Sequence, residues 1–263
     1  MIHLLEQLYM ITNKVNNFNQ NFYNLMKSFP NLLLISCLCI FCACHQSTPK
    51  HEEASVHPAV SVDSISADTI QIEGLPALGK WMYQADKQRA HWLGVKYRDK
   101  NLIEPINIIL IDSISKSAEE AIQRLTTELL QAGYPGRALH TGGYQGFIDT
   151  GFYQQLPREK NHAFSNHAAE MNNNHARVFG PHFFGNSYVF IAALSRENIA
   201  PFHKVKHSFA SFNRARDEFA ESLDLKSNYK IIDYVNMHNF ILNDSLNTTA
   251  DHDGIAVMLK LRK

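Results

Sequence analysis

Residues 104–134 read EPINIILIDSISKSAEEAIQRLTTELLQAGY, and this stretch decides the fold class. Ile106 to Ile111 (INIILI), placed after Pro105, is an apolar run of the kind found in strands buried on both faces. A helix follows at once. Ser117-Ala-Glu-Glu120 fits a capping box, with the Ser117 hydroxyl able to satisfy free N–H groups and Glu120 reaching back. Ala118, Ala121, Ile122, Leu125 and Leu129 then recur at helical spacing, and Gly133 stands where a left-handed C-terminal cap is wanted. Working outward, the spacing predicts a second helix over Phe212 to Leu223, with Phe212, Ala215, Phe219 and Leu223 as its apolar stripe. Arg214, Arg216, Asp217 and Glu218 fall mostly on its wet side. A third helix is predicted over Leu78 to His91. Tyr188 to Leu194, Tyr229 to Val235 and Ile255 to Leu261 read as strands. In the last, Ile255, Val257, Leu259 and Leu261 alternate with Ala256, Met258, Lys260 and Arg262. Helices interrupted by strands without a regular βαβ rhythm point to α+β: one domain with a mixed or mostly antiparallel sheet and two or three packed helices. The strand–helix pair at 106–133 makes a doubly wound α/β sheet the alternative.

The chain has 263 residues, 4 cysteines, 14 histidines and 25 residues of each charge sign. With 45% hydrophobic residues it is neither disordered nor a disulfide-stapled mini-protein. Balanced charge argues against nucleic acid as a partner, because counterion release needs a basic surface.

The longest apolar run is Leu32 to Cys44, LLLISCLCIFCAC. At 13 residues it is shorter than the roughly 17–25 that a spanning helix needs, and it fits the hydrophobic region of a secretory signal peptide. Lys27 supplies the preceding charge, and the run ends in Ala43-Cys44. This ending resembles a bacterial lipobox, which implies lipidation at Cys44 and a signal spanning residues 26–44. All four cysteines, Cys37, Cys39, Cys42 and Cys44, lie within it. Residues 45–263 therefore offer no disulfide, thiol nucleophile or thiolate ligand. Residues 1–25 read as a gene-model extension ahead of a start at Met26, or as disordered. Residues 45–74, rich in Ser, Thr, Pro and His, read as a disordered tether, with a surface arm as the alternative near Thr69 to Ile72. The globular domain is expected from 75 to 263. Residues 45–263 carry 23 basic and 24 acidic side chains, a net charge of −1.

From about Pro105 to Lys263 the order of residues resembles the LssY C-terminal-like domain family. The matching pieces are Glu104-Pro105-Ile-Asn107 opening the first strand and the helix ending Ala132-Gly133-Tyr134. Asn174-His175-Ala-Arg177-Val-Phe179-Gly180 follows, where the family shows His-x-Arg and an aromatic. Next come Tyr188 to Ser195, His203 to His207 before an Arg216-Asp217 helix, and the closing Asp253-Gly254-Ile-Ala-Val. The resemblance implies a domain of unestablished biochemistry whose relatives often accompany membrane domains of lipid phosphatase or DedA type.

Six histidines, His162, His167, His175, His182, His203 and His207, fall close together in sequence. His203 and His207 share a face on either a helix or a strand. With no cysteine, a metal site there needs histidine plus carboxylate, from Asp149, Glu159, Glu170, Asp217 or Asp253; scattered, hydrogen-bonded histidines are the simpler reading. His175-x-Arg177 is the sharper candidate. On a strand both side chains share a face, and a His beside an Arg fork suits a phosphate or carboxylate. The plainer alternative is Arg177 paired to a domain carboxylate. Ser195-Arg196 imitates a motif of lipid phosphatases, but the spacing to His203 and the other motifs are wrong, so it reads as a strand end. Gly142-Gly143 with Gly146 is a loop signal without the pattern of a phosphate cradle, and no cofactor is indicated.

Two functions follow from the sequence. One is a bacterial envelope lipoprotein, anchored through Cys44 and facing the periplasm from the inner or outer membrane. Its domain would bind an envelope protein, lipid headgroup or glycan. The other is a hydrolase acting on a phosphate-bearing envelope substrate through His175 and Arg177.

Overall fold

The computed structural model describes residues 68–200 and 206–262. The proposed extension, signal, lipidated Cys44, most of the tether and His203 lie outside the described residues. Among the described residues, no helix is long and apolar enough to cross a membrane.

The elements, in chain order, are β1 (Thr69–Ile70), β2 (Leu78–Tyr83), β3 (His91–Tyr97), β4 (Lys100–Ile103), β5 (Ile108–Asp112), α1 (Ala118–Gln131), β6 (Gly136–Arg137), β7 (Gln145–Ile148) and β8 (Gly151–Leu156). Then come β9 (Ala163–Ser165), β10 (Asn173–Phe184), β11 (Ser187–Ala200), β12 (Lys206–Ser211), α2 (Asn213–Lys226), β13 (Tyr229–Asn236), β14 (Asn247–Thr248) and β15 (Ile255–Leu261). The main sheet runs β1-β2-β7-β8-β10-β11-β5-β15-β13, with β12 beside β11, β9 beside β10 and β6 beside β9. β14, β4 and β3 form a second, three-stranded sheet. The only parallel pairs described are β5 with β15 and β14 with β4.

The architecture is α+β with a mixed, mostly antiparallel sheet. The doubly wound alternative is overturned, because both helices pack on one face. Leu125 and Leu129 of α1 and Phe219 and Leu223 of α2 join Ile108, Leu110, Val178, Phe190 and Leu194 in one core. The other face of β5 and β11, with Ile109, Ile111, Val189 and Ile191, is covered by the sheet itself. It curls round so that Leu78, Met82 and Ile148 from β2 and β7 pack against it. Two covered faces explain the uninterrupted apolar run of β5, since neither side can carry a solvated residue.

α1 begins as its sequence demands: the Ser117 hydroxyl accepts from the Glu120 N–H at 3.1 Å, while Glu120 reaches back to the Lys116 N–H at 2.9 Å. It ends at Gly133, φ +88°, where the Gly133 N–H bonds Leu130 O and the Tyr134 N–H bonds Leu129 O, both arms of a Schellman cap. Glu128, buried on this helix, accepts from the backbone and side-chain nitrogens of Asn228 at 2.6 and 2.8 Å, locking α1 to the start of β13.

Three expectations are corrected. Leu78 to His91 is no helix: it is β2 followed by a turn at Gln84 to Gln88. Leu78 and Met82 suit either period, but Gly79 packs against Phe147, and Trp81 and Tyr83 prefer a pleated surface. The disordered stretch expected over 45–74 does not extend to its end, because Thr69 and Ile70 pair with Gly79 and Leu78 as β1, in keeping with the surface-arm alternative near Thr69 to Ile72. Arg216 is not on the wet side of α2. It is 5% exposed and bonded to Asp217 at 2.7 Å, Asp253 at 2.6 Å and Ile255 O at 2.9 Å.

The curl is tight where β7 crosses β10. A Cβ on Gly146 would lie 2.5 Å from Cγ and 2.7 Å from Cβ of the fully buried Phe179. These are the rigid root of the ring, so the backbone itself must yield. Gly146→Ala is expected to lower stability by about 1–3 kcal/mol, read as a fall in the urea midpoint at unchanged slope. An unchanged midpoint would show that the crossing is looser than described.

Candidate functional site

The site is built by one antiparallel pairing. β10 and β11 place His175 opposite Ser195, Asn173 opposite Glu197 and Arg177 opposite Ala193. Because side chains alternate along a strand, Asn173, His175 and Arg177 share one face with Ser195 and Glu197. Ala176 and Val178 point the other way, into the helical core. All five polar residues are buried.

Their partners form a continuous network. Trp92 donates its indole N–H to Ser195 Oγ at 3.2 Å. Ser195 Oγ lies 2.9 Å from His175 Nε2. His175 Nδ1 lies 3.3 Å from Asn173 Oδ1 and 3.6 Å from Glu197 Oε1. Asn173 Nδ2 donates to Glu197 Oε1 at 2.9 Å, and His207 Nδ1, on β12, sits 2.9 Å from Glu197 Oε2. The loop between β6 and β7 closes the cluster: His140 stacks at a tilt 5.3 Å from His175, and Thr141 Oγ1 accepts from Arg177 Nη2 at 2.6 Å. The Arg177 guanidinium lies 4.9 Å from the centre of the Tyr144 ring. Its Nη1 faces Glu104 Oε2 at 3.4 Å, a long contact between two buried charges.

Burial sets the electrostatics. It drives His140 down to about 4, with the Arg177 charge adding to the effect. His175 is held well below the usual imidazole range, again by burial first and Arg177 second. Both rings are therefore neutral at pH 7. Burial pushes the Glu104 carboxyl up, opposed by Arg177 and reinforced by the charge of Glu197. Glu104 Oε1, His140 Nε2 and Arg177 Nε are buried and find no hydrogen-bond partner among the described residues.

Two chemistries fit. A hydroxyl, an imidazole and a carboxylate stand in line at Ser195, His175 and Glu197, the order of a hydrolytic triad. However, Ser195 is 0% exposed and its oxygen already accepts from Trp92. Alternatively, His140, His175 and Glu197 each offer a ligand atom, all within 4.8 Å of one another.

The sequence candidates separate here. His175 and Arg177 do share a face, and His207 joins them through Glu197. Arg177 is turned to a domain carboxylate, Glu104. His162 and His167 are elsewhere: the first bonds Lys160 O, the second is exposed. His182 bonds Tyr153 at 2.7 Å and lies near Asp149. None of the carboxylates expected to assist is in the cluster; Asp217 and Asp253 hold Arg216 instead. Sequence reasoning missed His140, Glu104, Ser195 and Glu197. Ser195 was expected at a strand end but lies inside a 14-residue strand. Had β11 been carried to residue 200, the i, i+2 spacing of Ser195 and Glu197 would have placed both on one face. No family model, curated protein or solved structure matches this chain.

Burial of neutral histidines makes a prediction about acid. The folded values of His140 and His175 lie below the unfolded value of about 6.5, so the unfolded chain binds more protons as pH falls through that value. Their contribution to stability is present above about 6.5 and, for His140, is lost down to about 4. His252, also pushed to about 4 by burial, acts in the same direction, while the raised Glu104 opposes. The urea midpoint is expected to fall between pH 7 and pH 4, with a shallower slope in His140→Asn. Identical slopes would assign the acid sensitivity to other groups.

Proposed function

We propose that this chain is a bacterial envelope lipoprotein, tethered to a membrane through Cys44, whose LssY C-terminal-like domain is a binding or accessory module facing the periplasm. The observation that supports binding over hydrolysis is the closure of the polar cluster. His175 and Arg177 are each 2% exposed, and Arg177 already faces the carboxylate of Glu104. A substrate phosphate would have to displace that carboxylate and open the Thr141 loop before meeting either residue.

A binding surface lies at the same loop. A cleft of about 650 Å³ is lined by Gly142 and Gly143, by Phe152 and Tyr153 of β8, and by Arg158, Glu159 and Lys160. Aromatic rings beside mixed charges suit a polar headgroup or a glycan better than an apolar segment. The partner is accordingly sought among envelope lipids, glycans and proteins.

The hydrolase reading stands second, favoured by the Ser195–His175–Glu197 line. Turnover separates the two. The purified full chain is expected to leave p-nitrophenyl phosphate and p-nitrophenyl acetate at their background rates, with or without added zinc or manganese. Turnover abolished by Ser195→Ala or Arg177→Lys would establish the hydrolase instead. The anchor is tested separately. In a bacterial host the wild type is expected in the membrane fraction with an acylated N-terminal peptide, and Cys44→Ser in the soluble periplasmic fraction. Equal partition of the two proteins would remove the lipid tether.

A further inference from the structure

We infer that His140, His175 and Glu197 form a binding site for one divalent transition metal ion of the zinc class. The inference rests on the geometry of the cluster and is independent of the proposed envelope role.

The ligand atoms are close to where an ion requires them. Bonds of about 2.0–2.1 Å at tetrahedral angles separate neighbouring ligand atoms by roughly 3.3 Å. His175 Nδ1 and Glu197 Oε1 stand 3.6 Å apart, and all three ligand atoms fall within 4.8 Å. His140 sits on a loop rather than a strand, so it is the ligand that would move to complete the set. His140 is 6% exposed, stacks on His175, and leaves Nε2 without a partner among the described residues. A buried nitrogen without a partner is unfavourable, and a ligand bond to an ion would satisfy it.

The groups around the three are those that orient metal ligands. His175 can donate from Nε2 to Ser195 Oγ, which also accepts from Trp92; this tautomer frees the Nδ1 lone pair toward Glu197. Glu197 is fixed by Asn173 on one oxygen and His207 on the other. Two imidazoles and one carboxylate favour zinc, cobalt or nickel over magnesium or calcium, which prefer all-oxygen sets. Three protein ligands leave a fourth position for water. His207 acts as a positioning residue.

The test uses the full chain carried on a histidine-free tag, stripped with chelator and titrated with cobalt(II), then zinc. The expected result is one equivalent of cobalt with visible d–d absorption of a tetrahedral or five-coordinate centre, displaced by zinc. His140→Ala and Glu197→Gln are expected to weaken zinc affinity at least about 10-fold, as is His207→Ala through lost orientation. His182→Ala, outside the cluster, should match the wild type. Circular dichroism checks that each variant is folded. If Glu197→Gln is not, the loop variant His140→Ala decides. Folded wild type that retains no ion and shows no cobalt spectrum overturns the site. So does wild-type affinity in folded His140→Ala.

Discussion

The register of β10 on β11 is the constraint on which this molecule depends. One face of the pair supplies Val178, Ala192 and Leu194 to the helical core, while the other supplies Phe179, Ile191 and Ala193 to the core beneath the curl. That second face also carries the whole polar cluster. A slip of one residue would turn His175 and Arg177 into the apolar interface with α1 and α2 and empty the site at once. Register is held at several places. Asn107, fully buried, exchanges hydrogen bonds with the backbone of Leu194 at 3.0 and 3.1 Å, and the β5 ladder fixes Tyr188 to Ala192. β9 and β8 clamp the opposite edge of β10.

Burying so many polar groups is costly, and the structure recovers the cost unevenly. Ser195, Asn173 and Glu197 are fully engaged, with neighbours on three strands. Glu104, His140 and Arg177, on the loop side, keep orphaned atoms. The network is thus finished on its sheet side and incomplete on its loop side. Elsewhere the buried charges are matched: Arg216 has two carboxylates and a carbonyl, and Glu128 has both nitrogens of Asn228. The contrast sets the cluster apart from these other buried charge ties among the described residues.

The elements legible in the sequence were those dictated by local chemistry. α1 has a cap at each end and a full apolar stripe, β5 and the middle of β11 carry apolar runs buried on both faces, and β13 and β15 are marked by β-branched and aromatic residues, although Ile232 and Tyr234 of β13 are exposed. β2 is ambiguous in sequence because Leu78 and Met82 fit two periods, and only the packing of Gly79 on Phe147 selects one. Arg216 was misplaced because its partners, Asp253 and Ile255 O, are far along the chain. The same limit applies to the site. His175 and Arg177 are neighbours on one strand and so were visible as a pair. His140 and Glu104 arrive from distant segments, and nothing local marks them as companions.

Trp92 ties the buried cluster to an observable. The chain has two tryptophans, and each indole N–H ends on a different polar partner: Trp92 on Ser195 and Trp81 on Asp68. Indole emission follows the hydrogen bonding and polarity around the ring, so the intrinsic fluorescence of this protein is a sum of two separately situated lamps. With the second lamp extinguished by Trp81→Phe, the colour and brightness of the first become a private optical gauge of whatever happens beside His175.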